Sequence, residues 1–185
     1  MIYYLESPPS KPGKGGKEDY CLFNNNVSDF TVYDNKIFIW ETTSGGCCVF
    51  IFDSNGNELN RIKLNLENQK ISQAFKDKYI EYWKTFSKAW EYLNARCNVF
   101  FPEYFPYFQK IEVNKGKIYI YTYNFKGNER EVIITDLKGK VLKKIFVPLM
   151  YFINGIDYTI DDDNFYYVIE NEESEEWELH MVNLK

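Results

Sequence analysis

A chain of 185 residues has the length of one domain, and its aromatic share of 19 %, mostly Tyr and Phe, leans towards β-structure. A net charge of −5 argues against nucleic acid, whose phosphates call for clustered Lys and Arg. No apolar run has the length of a membrane span.

The chain opens with a short β-prone segment, Ile2–Leu5, ahead of Pro8-Pro9. Met1 to Pro12 lacks the basic head and apolar centre of a secretory signal, so the expectation is either a cytoplasmic protein, as the chain stands, or a signal outside this chain, and the compartment is left open. Residues 8–17 are rich in Pro, Gly and Lys and read as a loop. Gly13-Lys14-Gly15-Gly16-Lys17 lacks the spacing and the Ser or Thr of a phosphate-binding loop.

A repeat follows. Asp29–Tyr33, a turn at Asp34-Asn35, and Lys36–Trp40 form its first copy. Lys110–Val113, Asn114-Lys115-Gly116 and Lys117–Tyr121 form the second, and Asp157–Ile160, Asp161-Asp162-Asp163 and Asn164–Val168 the third. In each, an alternating strand is followed by a tight polar turn and a strand apolar on both faces. A polar hairpin and a third strand come next, and in the first two copies a D-x-x-G turn leads to a fourth strand carrying Lys or Arg among its apolar residues. Strands are expected near 29–33, 36–42, 47–53, 58–64, 109–114, 117–123, 130–136, 140–146, 156–161, 164–170 and 177–183. A centre apolar on both faces and a charged outer edge describe a blade of a β-propeller. The expected fold class is all-β with a helical insertion: three four-stranded antiparallel blades, half of a six-bladed ring, in a single domain spanning 1–185. Blade one spans about 27–64, blade two about 108–147 and blade three about 155–185, the last completed by the outer strand 2–5. A β-sandwich is the alternative, and it accounts less well for the fixed strand order within each copy.

The insertion, about 70–98, changes period. Phe75, Tyr79, Tyr82, Phe86, Trp90 and Leu93 recur at helical spacing. A helix is expected over 72–96, capped by Ser72 and open to a break near Thr85–Ser87.

The run Phe101-Pro102-Glu103-Tyr104-Phe105-Pro106, the blade start Ser28-Asp29-Phe30 and the helix between them resemble the bacterial six-bladed β-propellers of the TolB-like and NHL-like type, over roughly residues 20–185. The resemblance implies a binding or scaffold protein, in a group many of whose members are exported. It also implies six blades where this chain carries three. A minority of six-bladed propellers are calcium-dependent lactonases; the blade starts here that such a site would use are Asn24–Asn26, Asp29, Glu103, Asn154 and Asp157.

No catalytic motif and no cofactor are read from the residues. Four cysteines without C-x-x-C, and a single histidine, His180, do not make a zinc site. Cys47 and Cys48 point to opposite faces of a strand. Asp161–Asn164 has calcium-type oxygens, but a turn whose side chains bond their own backbone accounts for it. His180 falls in a strand without a placed nucleophile and is assigned a structural role. The aromatic group of the insertion supplies the candidate ligand-binding residues Trp83, Trp90, Tyr104 and Tyr107, whose other reading is packing of the helix. The expected function is non-enzymatic binding or scaffolding on a helix-capped face, for a peptide, sugar or small molecule. The alternatives are a lactonase-like hydrolase and a propeller fragment without independent function. Partners are expected to be a second copy, or another propeller half, closing the ring; Ile2–Leu5 of one chain would pair with Trp177–Asn183 of the other.

Overall fold

The computed structural model describes residues 18–21, 28–43, 46–86, 89–149, 158–161, 163–171 and 176–184. In chain order the elements are β1 (Glu18–Cys21), β2 (Ser28–Tyr33), β3 (Lys36–Thr43), β4 (Gly46–Phe52), β5 (Glu58–Leu64), α1 (Gln73–Phe86), α2 (Ala89–Arg96), β6 (Cys97–Phe100), β7 (Lys110–Asn114), β8 (Lys117–Lys126), β9 (Glu129–Asp136), β10 (Val141–Val147), β11 (Tyr158–Asp161), β12 (Asn164–Asn171) and β13 (Glu176–Asn183). The eleven strands expected from the repeat are all present with ends shifted by three residues or fewer. The expected strand Ile2–Leu5 lies outside the described residues.

The chain divides into two compact units. One comprises residues 1–24 and 70–104. In it α1 starts where Ser72 Oγ accepts a hydrogen bond from Phe75 N at 3.1 Å, the cap that the sequence suggests. The helical stretch is two helices, α1 and α2. Phe75 stacks on Tyr79 with ring centroids 5.8 Å apart, and Tyr79 meets Phe101 edge-on at 5.8 Å. The parallel pair β1–β6, Glu18 opposite Cys97 through Cys21 opposite Phe100, was not foreseen.

The other unit, residues 25–69 and 105–185, holds three antiparallel sheets, each with its strands in sequence order. Sheet 1 is β2-β3-β4-β5, sheet 2 is β7-β8-β9-β10, and sheet 3 is β11-β12-β13, three-stranded among the described residues. The two-residue connections at Asp34-Asn35 and Lys115-Gly116 have positive φ throughout, the type I′ geometry whose twist suits a hairpin.

Register divides every sheet into two faces. In sheet 1 one face carries Phe38, Trp40, Cys47, Val49, Ile51, Ile62 and Leu64, which pack on Ile111, Val113, Ile118, Ile120 and Ile133 of sheet 2. The opposite face of sheet 2 carries Tyr119, Tyr121, Val132, Ile134 and Val147, which pack on Ile160 and Phe165 of sheet 3. Ile118, Tyr119, Ile120 and Tyr121 are all fully buried, because β8 is covered on both sides. At about 25 cal/mol per Å2 of apolar surface removed from water, this burial stabilises β8 through both of its faces. The outer strands β5 and β10 begin with four exposed residues each, as expected of charged edges.

Candidate functional site

Stacking brings the first strand of each sheet to one place. Phe30 and Thr31 of β2, Ile111 to Asn114 of β7, and Thr159 and Ile160 of β11 line a groove of about 340 Å3, together with Trp40 and Lys110. The volume lies in the range of small-molecule sites. Trp40 is 1 % exposed, and among the described residues its indole Nε1 is a buried donor with no hydrogen-bond acceptor.

The charged wall of the groove is built by strand alternation. Ile111 and Val113 face sheet 1, which turns Lys110 and Glu112 towards sheet 3. Lys110 Nζ donates to Glu112 Oε1 at 2.5 Å, and Tyr121 Oη donates to Glu112 Oε2 at 3.0 Å. The Lys110 ammonium also sits 4.7 Å above the ring of Tyr158. Burial opposes the charge of Lys110, but the hydrogen bond and ion pair with Glu112 outweigh it and hold the lysine above its ordinary pKa. Burial, with the Glu112 charge added, pushes the Tyr121 phenol far up. Burial likewise raises Tyr158. Both phenols therefore stay protonated, as donors and apolar walls, and neither is a ready base.

The turns flanking the groove are tied across sheets 2 and 3. Asn114 Nδ2 donates to the Ile160 carbonyl at 2.8 Å, Lys115 pairs with Asp161 at 3.0 Å, and Lys117 pairs with Asp163 at 3.2 Å. The acidic turn that invites a calcium reading thus spends Asp161 and Asp163 on lysines. Among the described residues no group of three or more His, Cys, Asp or Glu is placed to hold a metal. His180 stacks on Tyr167 at 5.1 Å, and its Nε2 lies 3.0 Å from Glu178 Oε2. Cys47 is buried, and burial drives its thiol far above the ordinary value.

The candidate ligand residues of the insertion separate. Trp83 lies on α1 and Trp90 on α2, and the side chains of both fall outside the described residues. Tyr104 is exposed and forms an isolated bridge with Lys70. Tyr107 is half-buried against the core between sheets 1 and 2. Two neighbours in the same run are packing residues: Phe108 is fully buried, and Phe105 stacks on Tyr123 at 4.5 Å. Of the blade starts, Asp29 lies on β2, while Asn24–Asn26, Asn154 and Asp157 lie outside the described residues; Glu103 pairs with Lys70 at 3.2 Å. Sequence reasoning missed Lys110, Glu112, Tyr121 and Tyr158. The signal available was Lys110-x-Glu112 on an alternating strand whose other face is Ile111 and Val113.

Among the described residues no helix is long and apolar enough to cross a membrane. No protein-family model matches the chain, and no curated protein matches it.

Proposed function

We propose that the three sheets are consecutive blades of a β-propeller of the TolB-like or NHL-like kind, and that the chain is a non-enzymatic binding or scaffold protein. The observation that carries this reading is the convergence of β2, β7 and β11 on one groove of about 340 Å3. Sheets that stack face to face with their first strands together, in sequence order, fit radial blades better than a two-layer sandwich. The helices enter the chain between the last strand of sheet 1 and the first of sheet 2, a connection that propellers use to build a ligand-facing surface. The ligand is a small molecule, peptide end or sugar that lies along the Lys110–Glu112 wall. Protonated phenols and a lysine already held by a carboxylate favour holding a ligand over transforming it.

The test is a ligand-observed NMR screen of short peptides, saccharides and small carboxylic acids against three forms of the chain. Thr31→Trp fills the groove from the face of β2 turned to sheet 2, and Tyr104→Ala strips the exposed aromatic of the helical unit. Compounds that bind wild type should be lost with Thr31→Trp and kept with Tyr104→Ala. The opposite pattern would move the site to the helical unit, and a saturable calorimetric signal with calcium chloride would favour a hydrolase of the lactonase kind.

A further inference from the structure

The stack of three sheets ends in two apolar faces of a particular kind. On sheet 3 the rows Thr159–Tyr166–Met181 and Val168–Leu179, with Trp177, make the face turned away from sheet 2. Leu179 is 71 % exposed, Trp177 64 % and Met181 61 %. A recess of about 230 Å3 includes Tyr166, Val168 and Leu179 in its lining. On sheet 1 the rows Phe30–Ile39–Phe50–Arg61 and Val32–Ile37–Phe52 make the face turned away from sheet 2, with Phe30 63 % and Val32 61 % exposed. Strand alternation with three large apolar residues exposed on one edge strand is not a solvent face.

The repeat says what each face is for. Aligned by their second strands, Phe38 and Trp40 of sheet 1 correspond to Tyr119 and Tyr121 of sheet 2 and to Tyr166 and Val168 of sheet 3. The first two pairs receive the next sheet, through Ile118 and Ile120 on sheet 2 and through Phe165 on sheet 3. The residues equivalent to Ile118 and Ile120 on sheet 1 are Ile37 and Ile39, on its outward face. The outward faces of sheets 3 and 1 are therefore the two halves of one interface, used twice inside the chain and left open at its ends. The exposures show that the two halves do not meet within one copy.

We propose that a second copy of this chain covers both faces, the outward face of sheet 3 in each copy receiving Val32, Ile37 and Ile39 of the other. The contact is head-to-tail, and a two-fold axis closes it after two copies because each copy supplies one half of both contacts. Closure places a second set of first strands opposite the groove and encloses it. The inference rests on reading the sheets as consecutive blades.

The test uses wild type and two variants at exposed positions, Leu179→Lys and Val32→Lys, with far-ultraviolet circular dichroism to verify that each folds. Light scattering at micromolar concentration should give two chain masses for wild type and one for each variant alone. An equimolar mixture of the variants should return to two chain masses, because the untouched face of Leu179→Lys fits the untouched face of Val32→Lys. A monomeric wild type would overturn the second copy and leave the groove reading standing, since the ligand screen does not depend on mass. A dimeric Val32→Lys beside a monomeric Leu179→Lys would mean like-to-like pairing of sheet 3 and would overturn the proposal. Species larger than two chains, growing with concentration, would overturn closure and the propeller reading with it.

Discussion

Two glycines in the same turn give a direct measure of how closely sheets 1 and 2 approach. Gly56 and Gly139 both close D-x-x-G turns at φ +83°. Their frames match: Gly56 N donates to Asp53 O at 3.1 Å, and Gly139 N donates to Asp136 O at 3.0 Å. Alanine at either site pays the same left-handed strain, about 1–2 kcal/mol. A Cβ on Gly56 would meet nothing within 4 Å, whereas one on Gly139 would lie 2.5 Å from Ile62 Cγ2. Ile62 is 3 % exposed on β5 of sheet 1, and its Cγ2 sits on a branched Cβ with little freedom to swing away. Gly139→Ala therefore adds an overpacking cost of about 1–3 kcal/mol to the strain. Urea denaturation of both variants should show Gly139→Ala destabilised beyond Gly56→Ala by at least about 1 kcal/mol, with unchanged m values. In a double-mutant cycle Ile62→Ala should relieve the excess, so the pair costs less than the sum of the single changes. Equal losses for the two glycines, within about 0.5 kcal/mol, would refute the close packing of sheet 2 against sheet 1 at this point.

Two further outcomes test other parts of the framework. Asp136 is held below its ordinary value by the backbone N–H of Lys140 and then by that of Lys138, and Asp53 by the side chain of Asn57 and nearby backbone N–H groups. A depressed folded value means that the contribution is complete above the unfolded value of about 3.9 and is lost as pH falls through the folded one, so the stability gap between wild type and Asp136→Asn should be constant near neutrality and close in acid; a gap that widened in acid would reverse the assignment. Phe165 is fully buried between Tyr158 and Tyr167, at 5.8 and 5.7 Å, so Phe165→Ala should cost about 3–5 kcal/mol in thermal or urea unfolding; a loss under about 1 kcal/mol would mean that sheet 3 does not pack on sheet 2.

Strand positions were legible because the repeat writes them three times in local chemistry. Two-residue turns at Asp34-Asn35 and Lys115-Gly116, the D-x-x-G turns and strict alternation all act within a few residues, so composition alone placed the hairpins. The helical period, its Ser72 cap and its break near residue 86 were local too. The parallel pair β1–β6 was not, since it joins segments of four residues from distant parts of the chain, too short to show a period. The groove followed the same division. Lys110 and Glu112 share a face by alternation, but Tyr158 reaches them from another sheet, and the groove exists only once β2, β7 and β11 converge. Burial is set by what packs against a strand, which the strand itself does not encode, so only the tertiary structure decided that Phe38 and Trp40 are covered while the corresponding face of sheet 3 stays open.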